Sequence, residues 1–442
     1  MAEAILGMRG SGSFSLSERP TNFREKILRE YPNGPAVFLM ILGMLKSEAV
    51  NDTKFTIFEQ SFPDQVHQGP AASNVSQDVP GAGGTPSAGG AGTTATDTVI
   101  YLGVTKYTAP SNFFKPGHLV RNETTGEVMA VVGKDATLPG VSLQVVRGIG
   151  FSAAYGDGSG AVGTGLLIAN SDTFTIIGSF QPEGSNYPEA INYQPTERWN
   201  LIETFRTSLE LTDDAMQTYY RTGKILDNAK YDAAMQHSIE MEKAFLYGKR
   251  ERLDTTYNQV ISPYPGNQPA PATQPQRSMG GLDFFITHKQ DFGAGLTQVD
   301  FLDFLEPIYT IPGGSQNKVA FCGAKTLGVM TQYAESLGQI FLEPGDKTYG
   351  LQIRTLIHAW GELKLVNHPL MSEHPIWTSG MFIVDTRNVM YRFLQGRDTR
   401  YLKDRQSRGE DKVVHEFMSK CSLELRHPRT HGIASGITSF VG

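Results

Sequence analysis

Residues 201–250 read LIETFRTSLELTDDAMQTYYRTGKILDNAKYDAAMQHSIEMEKAFLYGKR, and this stretch decides the fold. Apolar and polar residues alternate from 201 to 211, which predicts a strand with one buried face. Thr212 then offers a hydroxyl that suits a helix cap, and Asp213 and Asp214 add carboxylates that complement the positive end of a helix dipole. The stretch therefore predicts a strand that runs directly into a long helix.

The predicted helix covers residues 212–250 and would be about 57 Å long if unbroken, at about 1.5 Å per residue. We expect any kink at Gly223 or at residues 227–228. Glu240 and Lys243 lie on one face, close enough to pair. A narrow apolar stripe at helical spacing consists of Tyr231, Ala234, Met235, Ser238, Met241 and Phe245. Such a helix is a structural support rather than a catalytic site, and the plainer alternative is a core helix of an ordinary α+β domain.

Composition narrows the possible function classes. The 442 residues suffice for two or three domains, and the net charge of −6 argues against a dedicated nucleic-acid binder, which would carry a basic face. Two cysteines, Cys322 and Cys421, exclude a disulfide framework and a cysteine-rich zinc site. The apolar run over residues 36–45 is too short to cross a membrane, and the amino terminus lacks the layout of a signal peptide. We expect no membrane association.

The first half of the chain is organised around one long excursion. Residues 1–34 are polar and are predicted to form an extended arm, followed by a short apolar helix and lead-in over residues 35–53. Residues 54–200 form the excursion. Its stretch 69–97 is almost wholly Gly, Ala, Ser, Thr and Pro, which is the composition of a linker, and residues 98–180 are predicted to form a small all-β module.

Turn residues separate the strands of this predicted module. NETTG at residues 122–126 indicates a hairpin between two of them. The module thus has the composition of several short strands and turns, with no helix. The strands are expected at residues 98–104, 118–121, 127–133, 143–147, 166–169 and 173–178.

The second half of the chain predicts two further domains. Residues 201–297 contain the strand, the long helix and a proline-rich linker. Strands and helices alternate over residues 298–411, which indicates an inserted α/β domain. Residues 412–442 close the chain with strands, which we assign to the domain that begins at residue 201. The predicted fold class is therefore α+β, with one domain inserted into another.

No motif in the sequence supports catalysis or cofactor binding. GSGAVG at residues 158–163 matches the dinucleotide fingerprint, but a strand follows it instead of a helix, so a turn is the better interpretation. A nucleophile elbow, a Walker loop and an HExxH motif are all missing from the sequence. The histidines are spread over several predicted elements. We predict no catalytic, cofactor-binding or metal-binding residues, and no enzyme activity.

Basic residues are densest between residues 392 and 408. The plain interpretation is a solvated loop. The functional alternatives are ion pairing with a neighbouring subunit or contact with nucleic-acid phosphates. Asp398, Asp404, Glu410 and Asp411 dilute the positive charge, which weakens the phosphate alternative.

An ordered set of short motifs resembles a known family. The set covers most of the chain, roughly residues 35–442, and it is similar to the SU10-like group of tailed-phage major capsid proteins, which resemble the HK97-type capsid proteins in fold. The motifs are KFTIFE (54–59), GHLVRNETTGE (117–127), VVRGIG (145–150), IIGSF (176–180), GSNYPEA (184–190), FRTSLEL (205–211), AFLYGKR (244–250) and LELRHPRTHGIASG (423–436).

The resemblance implies an HK97-like capsid fold and assigns a part to each segment. Residues 1–34 become the N-terminal arm, and residues 54–200 the extended loop that carries the β module. Residues 201–297 and 412–442 become the peripheral domain, whose spine helix spans about 212–250. Residues 298–411 become the axial domain.

The function implied is that of a major capsid protein in the virion, assembled in the host cytoplasm into an icosahedral shell around double-stranded DNA. The implied partners are copies of the chain itself in hexamers and pentamers, portal, scaffold and decoration proteins, and packaged DNA bound without sequence specificity. We expect inter-subunit contacts at Arg24, Lys26, Arg29, Phe55, Phe58, Arg121, Glu123, Arg392, Arg397, Arg400 and Arg405.

Three rival functions stay open on the sequence. An encapsulin-like compartment would share the fold but would not need the large β module. A phage tail or adhesion protein would bind host carbohydrate through residues 98–180, and such proteins carry exposed aromatic clusters. A hydrolase is opposed by the missing motifs.

Overall fold

The computed structural model describes residues 34–60, 66–68, 75–76, 99–103, 114–135, 142–146, 149, 173–188, 190–220, 223–253, 276–293, 295–338, 347–348 and 351–441. The chain divides into two units. One, here called the body, comprises Met1–Glu59 and Glu197–Gly442, and the other, here called the loop unit, comprises Gln60–Thr196.

The described elements alternate between helices and strands through the body and are all strands in the loop unit. The helices are α1 (Val37–Met44), α2 (Asp213–Gln217), α3 (Ile225–Tyr247), α4 (Leu282–Phe285), α5 (Gln298–Tyr309), α6 (Ala324–Ser336) and α7 (Pro369–Glu373). The strands are β1 (Ser47–Val50), β2 (Lys54–Glu59), β3 (Val66–Gln68), β4 (Val75–Ser76), β5 (Val99–Gly103), β6 (His118–Asn122), β7 (Val128–Asp135), β8 (Ser142–Val146), β9 (Thr173–Ser179), β10 (Thr196–Leu201), β11 (Glu203–Thr212), β12 (Glu251–Leu253), β13 (Gln276–Ser278), β14 (Lys289–Asp291), β15 (Asn317–Cys322), β16 (Lys347–Thr348), β17 (Leu351–His358), β18 (Gly361–Asn367), β19 (Met381–Val384), β20 (Val389–Leu394), β21 (Arg400–Leu402), β22 (Lys412–Leu425) and β23 (Gly432–Ser435).

A five-stranded sheet in the body contains the strand that opens the decisive stretch. β11 pairs antiparallel with β22, from Glu203 opposite Cys421 to Thr212 opposite Lys412. β20 and β21 pair with β22 as well, and β1 lies parallel to β20. Alternate residues of β11 are buried, as the period-two pattern predicts. This sheet packs against the spine helix α3, because Phe205 shares one apolar cluster with side chains of that helix.

The long helix is broken where a single helix was predicted over residues 212–250. Thr212 does cap a helix, since its Oγ1 accepts a hydrogen bond from Ala215 N at 3.3 Å, but this helix, α2, has only five residues. The spine helix α3 starts afresh at Ile225 and has 23 residues. Gly223 lies between them with a φ of +92°, a left-handed conformation that does not continue an α-helix. The predicted kink position is therefore a complete break.

The buried face of α3 differs from the predicted stripe. Met241 and Phe245 are buried as predicted, whereas Tyr231, Met235 and Ser238 are only half-buried. The prediction was based on apolar spacing alone, and two polar residues lie on the buried face because neighbouring elements supply their hydrogen-bond partners. The buried residues of α3 are Ala233, His237, Met241, Glu242, Phe245 and Leu246.

A seven-stranded sheet, here called the body sheet, forms the second layer of the body, in the order β14-β23-β19-β15-β18-β17-β16. All four residues of β19 are buried, which is typical of a central strand covered on both faces. On one face, Phe382 and Val384 join the cluster that contains α1 and the spine helix. On the other face, Met381 and Ile383 join the cluster that contains α5 and α6.

Two domain boundaries differ from the sequence prediction. Residues 298–411 were predicted as one inserted domain, but β20 and β21 pair in the five-stranded sheet. Conversely, β23 was assigned to the domain of residue 201, but it pairs with β19 and β14 in the body sheet. Lateral hydrogen bonds between strands far apart in sequence decide sheet membership, and chain order does not reveal them.

The excursion leaves and re-enters the body on two paired strands, β2 and β10. Within the loop unit, seven strands form an antiparallel sheet in the order β3-β9-β6-β7-β8-β5-β4. β5, β6, β7, β8 and β9 match five of the strands predicted from the sequence, and the sixth, at 166–169, lies outside the described residues. β4 falls inside the predicted linker 69–97 and pairs with β5, so that stretch is not wholly a linker.

The hairpin between β6 and β7 follows its sequence signal. Asn122 Oδ1 accepts a hydrogen bond from Thr124 N at 2.9 Å, and Gly126 adopts a φ of +75°. Asn122 N also donates to Glu127 O at 2.8 Å, which closes the turn. The turn forms from local chemistry, because an Asn side chain caps its own backbone and Gly tolerates the left-handed conformation.

Among the described helices, none is long and apolar enough to span a membrane.

The end of the spine helix depends on a close approach of two backbone segments. A Cβ on Gly281 would lie 2.6 Å from Ala244 O and 2.7 Å from Phe245 O, which are backbone atoms. We predict that Gly281→Ala destabilises the chain by about 1–3 kcal/mol, since the backbone must shift. Gly43→Ala, where the added methyl meets nothing within 4 Å, is the matched control and should change stability by less than about 1 kcal/mol. Urea midpoints of the unassembled chain measure both, and equal midpoints would contradict the prediction.

Candidate assembly surfaces

One buried carboxylate joins three elements of the body. Glu242 on the spine helix is fully buried, and its two oxygens accept hydrogen bonds from Phe38 N at 2.6 Å and Leu39 N at 2.7 Å. These are donors of the first turn of α1, where an anion is favoured by the helix dipole. His368 Nε2 lies 2.7 Å from the same carboxylate, and Met371 N donates to His368 Nδ1 at 3.3 Å, so Nε2 carries the proton and donates to Glu242.

The sequence analysis did not predict the buried contacts of Glu242. It paired Glu240 with Lys243, but Glu240 instead accepts hydrogen bonds from Gln236 Nε2 at 3.1 Å and from Thr207 Oγ1 at 3.4 Å. The signal available in the sequence was the position of Glu242, which directly follows Met241 on the apolar side of the helix. An acid at such a position indicates a buried partner.

We predict that Glu242→Ala destabilises the unassembled chain by about 3–5 kcal/mol, because it leaves the Phe38 and Leu39 amides and the His368 ring without their buried acceptor. Lys243→Ala, at the next and exposed position of the same helix, should change stability by less than about 0.5 kcal/mol. Chemical denaturation followed by circular dichroism measures both variants. A decrease in the free energy of unfolding of less than about 1 kcal/mol for Glu242→Ala would contradict this role of Glu242.

The base of the excursion is fixed to the body by Asn200, a buried residue of β10. Its Nδ2 donates to Gly280 O at 3.0 Å and to Leu423 O at 2.7 Å. Its Oδ1 accepts from Leu201 N and Gly280 N, both at 2.9 Å. One side chain thus satisfies four hydrogen bonds and ties β10 to β22 and to the segment before α4.

Two cationic side chains contact the ring of Trp199, the residue before Asn200. The Arg250 guanidinium stacks 3.6 Å from the centre of the Trp199 ring, and Arg250 Nη1 donates to Trp199 O at 2.6 Å. Lys54 Nζ lies 4.7 Å from the same ring. Cation–π contacts of this kind contribute about 0.5–2 kcal/mol. The strands of the excursion therefore leave the body at a defined place.

Further ion pairs hold the same two strands. Arg198 Nε donates to Glu59 Oε2 at 2.6 Å, and Glu59 Oε1 accepts from His427 N at 2.6 Å. Lys54 Nζ lies 3.8 Å from Glu197 Oε1, where both side chains are about half exposed. The exposed pair contributes little, whereas Glu59 joins the strand pair to the loop after β22.

Arg392, which the sequence suggested as an inter-subunit contact, makes its visible contacts inside the protomer. Its side chain is buried between Glu424 and Glu48, with Nη1 2.5 Å from Glu48 Oε2. The guanidinium lies 5.9 Å from the ring of Phe55, another suggested contact residue, which is also buried. A role for either residue in contacts between subunits stays a prediction.

The other suggested residues are exposed or lie outside the description. Phe58 is 70% exposed, and Arg397, Arg400 and Arg405 are exposed as well. Arg405 Nε is 3.8 Å from Glu416 Oε2. In the loop unit, Arg121 and Glu123 form an exposed pair with 3.8 Å between Arg121 Nη1 and Glu123 Oε2. Outside the described residues lie Arg24, Lys26 and Arg29.

The loop unit exposes apolar side chains around a groove of about 520 Å³. Val132 is 53% and Phe180 is 59% exposed at this groove. Tyr187, in the same unit, is fully exposed. Exposed apolar groups that line one groove are typical of a surface that another protein covers. Other lining residues are Pro116, Gly117, Val131, Ile149 and Pro182.

Lys318, a buried titratable residue of the body, has partners within the protomer. Lys318 Nζ lies 3.4 Å from Asp385 Oδ2 and donates to Thr430 O at 3.1 Å. Burial lowers the pKa of Lys318, although Asp385 opposes this effect. Burial also raises the pKa of the Cys421 thiol, to about 12, and raises that of Cys322, so neither is an activated nucleophile. Within the described residues, no group of three or more His, Cys, Asp or Glu side chains is placed to hold a metal ion.

Burial lowers the pKa of His431 to about 4. Its Nδ1 accepts a hydrogen bond from Asp385 N at 3.1 Å, so the folded state holds the neutral ring. The unfolded chain binds this proton with a pKa near 6.5, and the contribution of His431 to stability is therefore complete above about pH 6.5 and is lost as the pH falls towards 4, by up to about 3 kcal/mol.

We predict that His431→Gln flattens the pH dependence of stability between pH 6.5 and 4, because the variant has no ring to protonate. Urea midpoints of the unassembled chain across this range test the prediction. Part of the decrease in stability towards low pH should remain in the variant, since burial also lowers the pKa of His358 to about 4. The same slope in the variant and the parent would contradict the assignment.

Comparison with known proteins identifies the family. A family model described as SU10 major capsid protein matches residues 11–438. A major capsid protein of Pseudomonas phage PaMx41 is 23% identical over an alignment that covers 94% of this chain and 92% of that protein.

Solved structures show only remote likeness. The capsid of cyanophage A-1(L) is 11% identical with a TM-score of 0.38, covering 60% of this chain and 85% of that one. The SrpI encapsulin of Synechococcus elongatus is 10% identical with a TM-score of 0.35, covering 58% and 80%. TM-scores this low do not establish a relationship. The family match, in contrast, covers nearly the whole chain. The chain therefore belongs to the SU10 major capsid protein family, with an α+β fold and the function of a phage major capsid protein.

Proposed function

We propose that this chain assembles with copies of itself, as hexamers and pentamers, into the icosahedral shell that encloses the double-stranded DNA of a tailed phage. Assembly takes place in the host cytoplasm, with portal, scaffold and decoration proteins as further partners. The chain has no catalytic turnover. In this proposal residues 1–34 are the arm, the excursion is the extended loop, and the two sheets of the body belong to the peripheral and axial domains.

The observation that carries the proposal is the excursion. The chain leaves the body at Glu59 and returns at Glu197, and the residues between them form a separate unit. The base of the excursion is firmly held by Asn200, while the loop unit exposes an apolar groove with Val132 and Phe180 at its rim. A unit that leaves apolar surface open and is anchored at one place suits contact with a neighbouring subunit.

Packaged DNA is the second partner in the proposal. A net charge of −6 gives the chain no general attraction to phosphate, so we assign the contact to local Arg and Lys side chains on the inner face of the shell. Such contacts read the backbone and not the bases.

Sizing the purified chain tests the proposal. With scaffold and portal proteins supplied, we expect particles of shell size in sedimentation and electron microscopy. A chain that stays monomeric at high concentration under these conditions would refute the shell. Nucleic-acid content of particles isolated from infected cells separates a genome shell from an encapsulin-like compartment, because only the former encloses the phage DNA.

We predict that replacement of residues 69–180 by a short Gly-Ser hairpin leaves a soluble, folded protomer with an intact spine helix but prevents stable shells. The body keeps its own cores when the loop unit is removed, while the surface assigned to the neighbour is lost. Circular dichroism and electron microscopy on one preparation measure both effects. Normal, heat-stable shells from the deletion variant would show that shell assembly does not require the loop unit.

A further inference from the structure

A pocket of about 320 Å³ lies in the body where α1, α3 and the strands β20 and β22 come together. Its apolar walls include Leu39 from α1, Ala234 and Met241 from α3, and Phe417 from β22. Gly43 lines the pocket on the α1 side, where an added Cβ would meet nothing within 4 Å. The pocket holds the volume of about ten water molecules, which suits a small ligand.

Asp398, in the loop between β20 and β21, supplies a carboxylate to this pocket. Its Oδ1 accepts hydrogen bonds from Tyr391 Oη at 2.9 Å and from Thr399 N at 2.8 Å, which fix the orientation of the carboxylate. Burial raises the pKa of Tyr391, so its hydroxyl keeps the proton that it donates. The second oxygen, Oδ2, has no hydrogen-bond or ion-pair partner within the described part of the chain.

The neighbouring cationic side chains do not neutralise this carboxylate. Lys230 on α3 places its Nζ 5.6 Å from the centre of the Tyr401 ring and 3.9 Å from Asp227 Oδ1. Arg397, the residue before Asp398, is exposed. Asp398 is half-buried, and a carboxylate beside apolar walls is costly unless a cation pairs with it.

His237, which also lines the pocket, supplies no positive charge either. Its Nδ1 lies 3.0 Å from Thr207 Oγ1 and its Nε2 lies 2.7 Å from Ser419 Oγ, so both ring nitrogens have partners. Burial lowers the pKa of His237, although Glu240 opposes this effect, and the ring is neutral at pH 7. The pocket therefore presents one uncompensated negative charge beside apolar walls.

The charge and the walls of the pocket define a class of ligand. Apolar walls accommodate an alkyl chain, and the available Asp398 oxygen accepts a charged N–H donor. A single available oxygen suits a compact ammonium group better than a guanidinium, which binds carboxylates through both oxygens. We propose that this pocket binds a small primary alkylammonium ion, with the ammonium group at Asp398 Oδ2 and the alkyl chain along the apolar walls. This inference does not rest on shell assembly, because all of its contacts lie within one protomer.

Titration of the unassembled chain with 1-aminopentane at neutral pH tests the proposal. Protein-observed NMR should show one saturable site with a Kd on the order of 1 mM or lower, and the methyl signal of Met241 should follow the same curve. Methylammonium has the charge without the chain, and 1-pentanol has the chain without the charge. Each should bind at least about tenfold more weakly. Equal binding of 1-pentanol, or no saturation by roughly 20 mM 1-aminopentane, would overturn the proposal.

A matched pair of variants isolates the charge of Asp398. Asp398→Asn keeps an oxygen for Tyr391 and Thr399 but removes the negative charge, so the affinity for 1-aminopentane should fall about tenfold or more. Asp404→Asn removes an exposed acid between β21 and β22 and should leave the affinity within about twofold. An affinity of folded Asp398→Asn equal to that of the parent chain would contradict the assignment.

Filling the pocket tests its location without changing any charge. Gly43→Leu places a side chain in the open space at the pocket wall, so it should also lower the affinity about tenfold or more. Asp398 is intact in this variant, which keeps the test available if Asp398→Asn does not fold. Urea midpoints report whether each variant is folded. Unchanged binding by a folded Gly43→Leu variant would exclude this pocket as the site.

Discussion

The structure of the body depends on the buried carboxylate of Glu242. A charge removed from water is stable only when donors surround it, and here two amides of α1 and the ring of His368 supply them. The carboxylate thereby links the start of α1, the spine helix and the segment after β18. Apolar clusters fill the space on both sides of the body sheet, but they are non-directional and would not by themselves fix how these three elements meet.

The base of the excursion is likewise held by a buried polar side chain whose hydrogen bonds are all satisfied. Asn200 uses all four hydrogen-bonding positions of its side chain on backbone groups of three segments. Trp199 and Glu59 add contacts to Arg250, Arg198 and the loop after β22. The excursion therefore has a rigid origin on the body, while its loop unit carries its own apolar core and its own exposed groove.

Several charged side chains form ion pairs within the protomer. Arg392 is enclosed by Glu48 and Glu424, and Lys318 by Asp385. The described surface also exposes apolar groups, such as Phe58. For a coat protein that meets identical copies, apolar and backbone contacts have the advantage that they create no repulsion between like-charged subunits.

The sequence by itself determined the local features. The strand β11, the cap at Thr212 and the hairpin at residues 122–126 follow from alternation, a hydroxyl before two acids and an Asn–Gly turn, all of which act within a few residues. The family could also be inferred from the sequence, because the motifs that resemble it occur in the same order along the chain. Only the tertiary structure decided which sheet each strand joins, that Arg392 is enclosed instead of exposed, and that Glu242 is the centre of the body. Those outcomes depend on partners far away in the sequence, such as Phe38 for Glu242 and Glu48 for Arg392, and no local pattern encodes such a pairing.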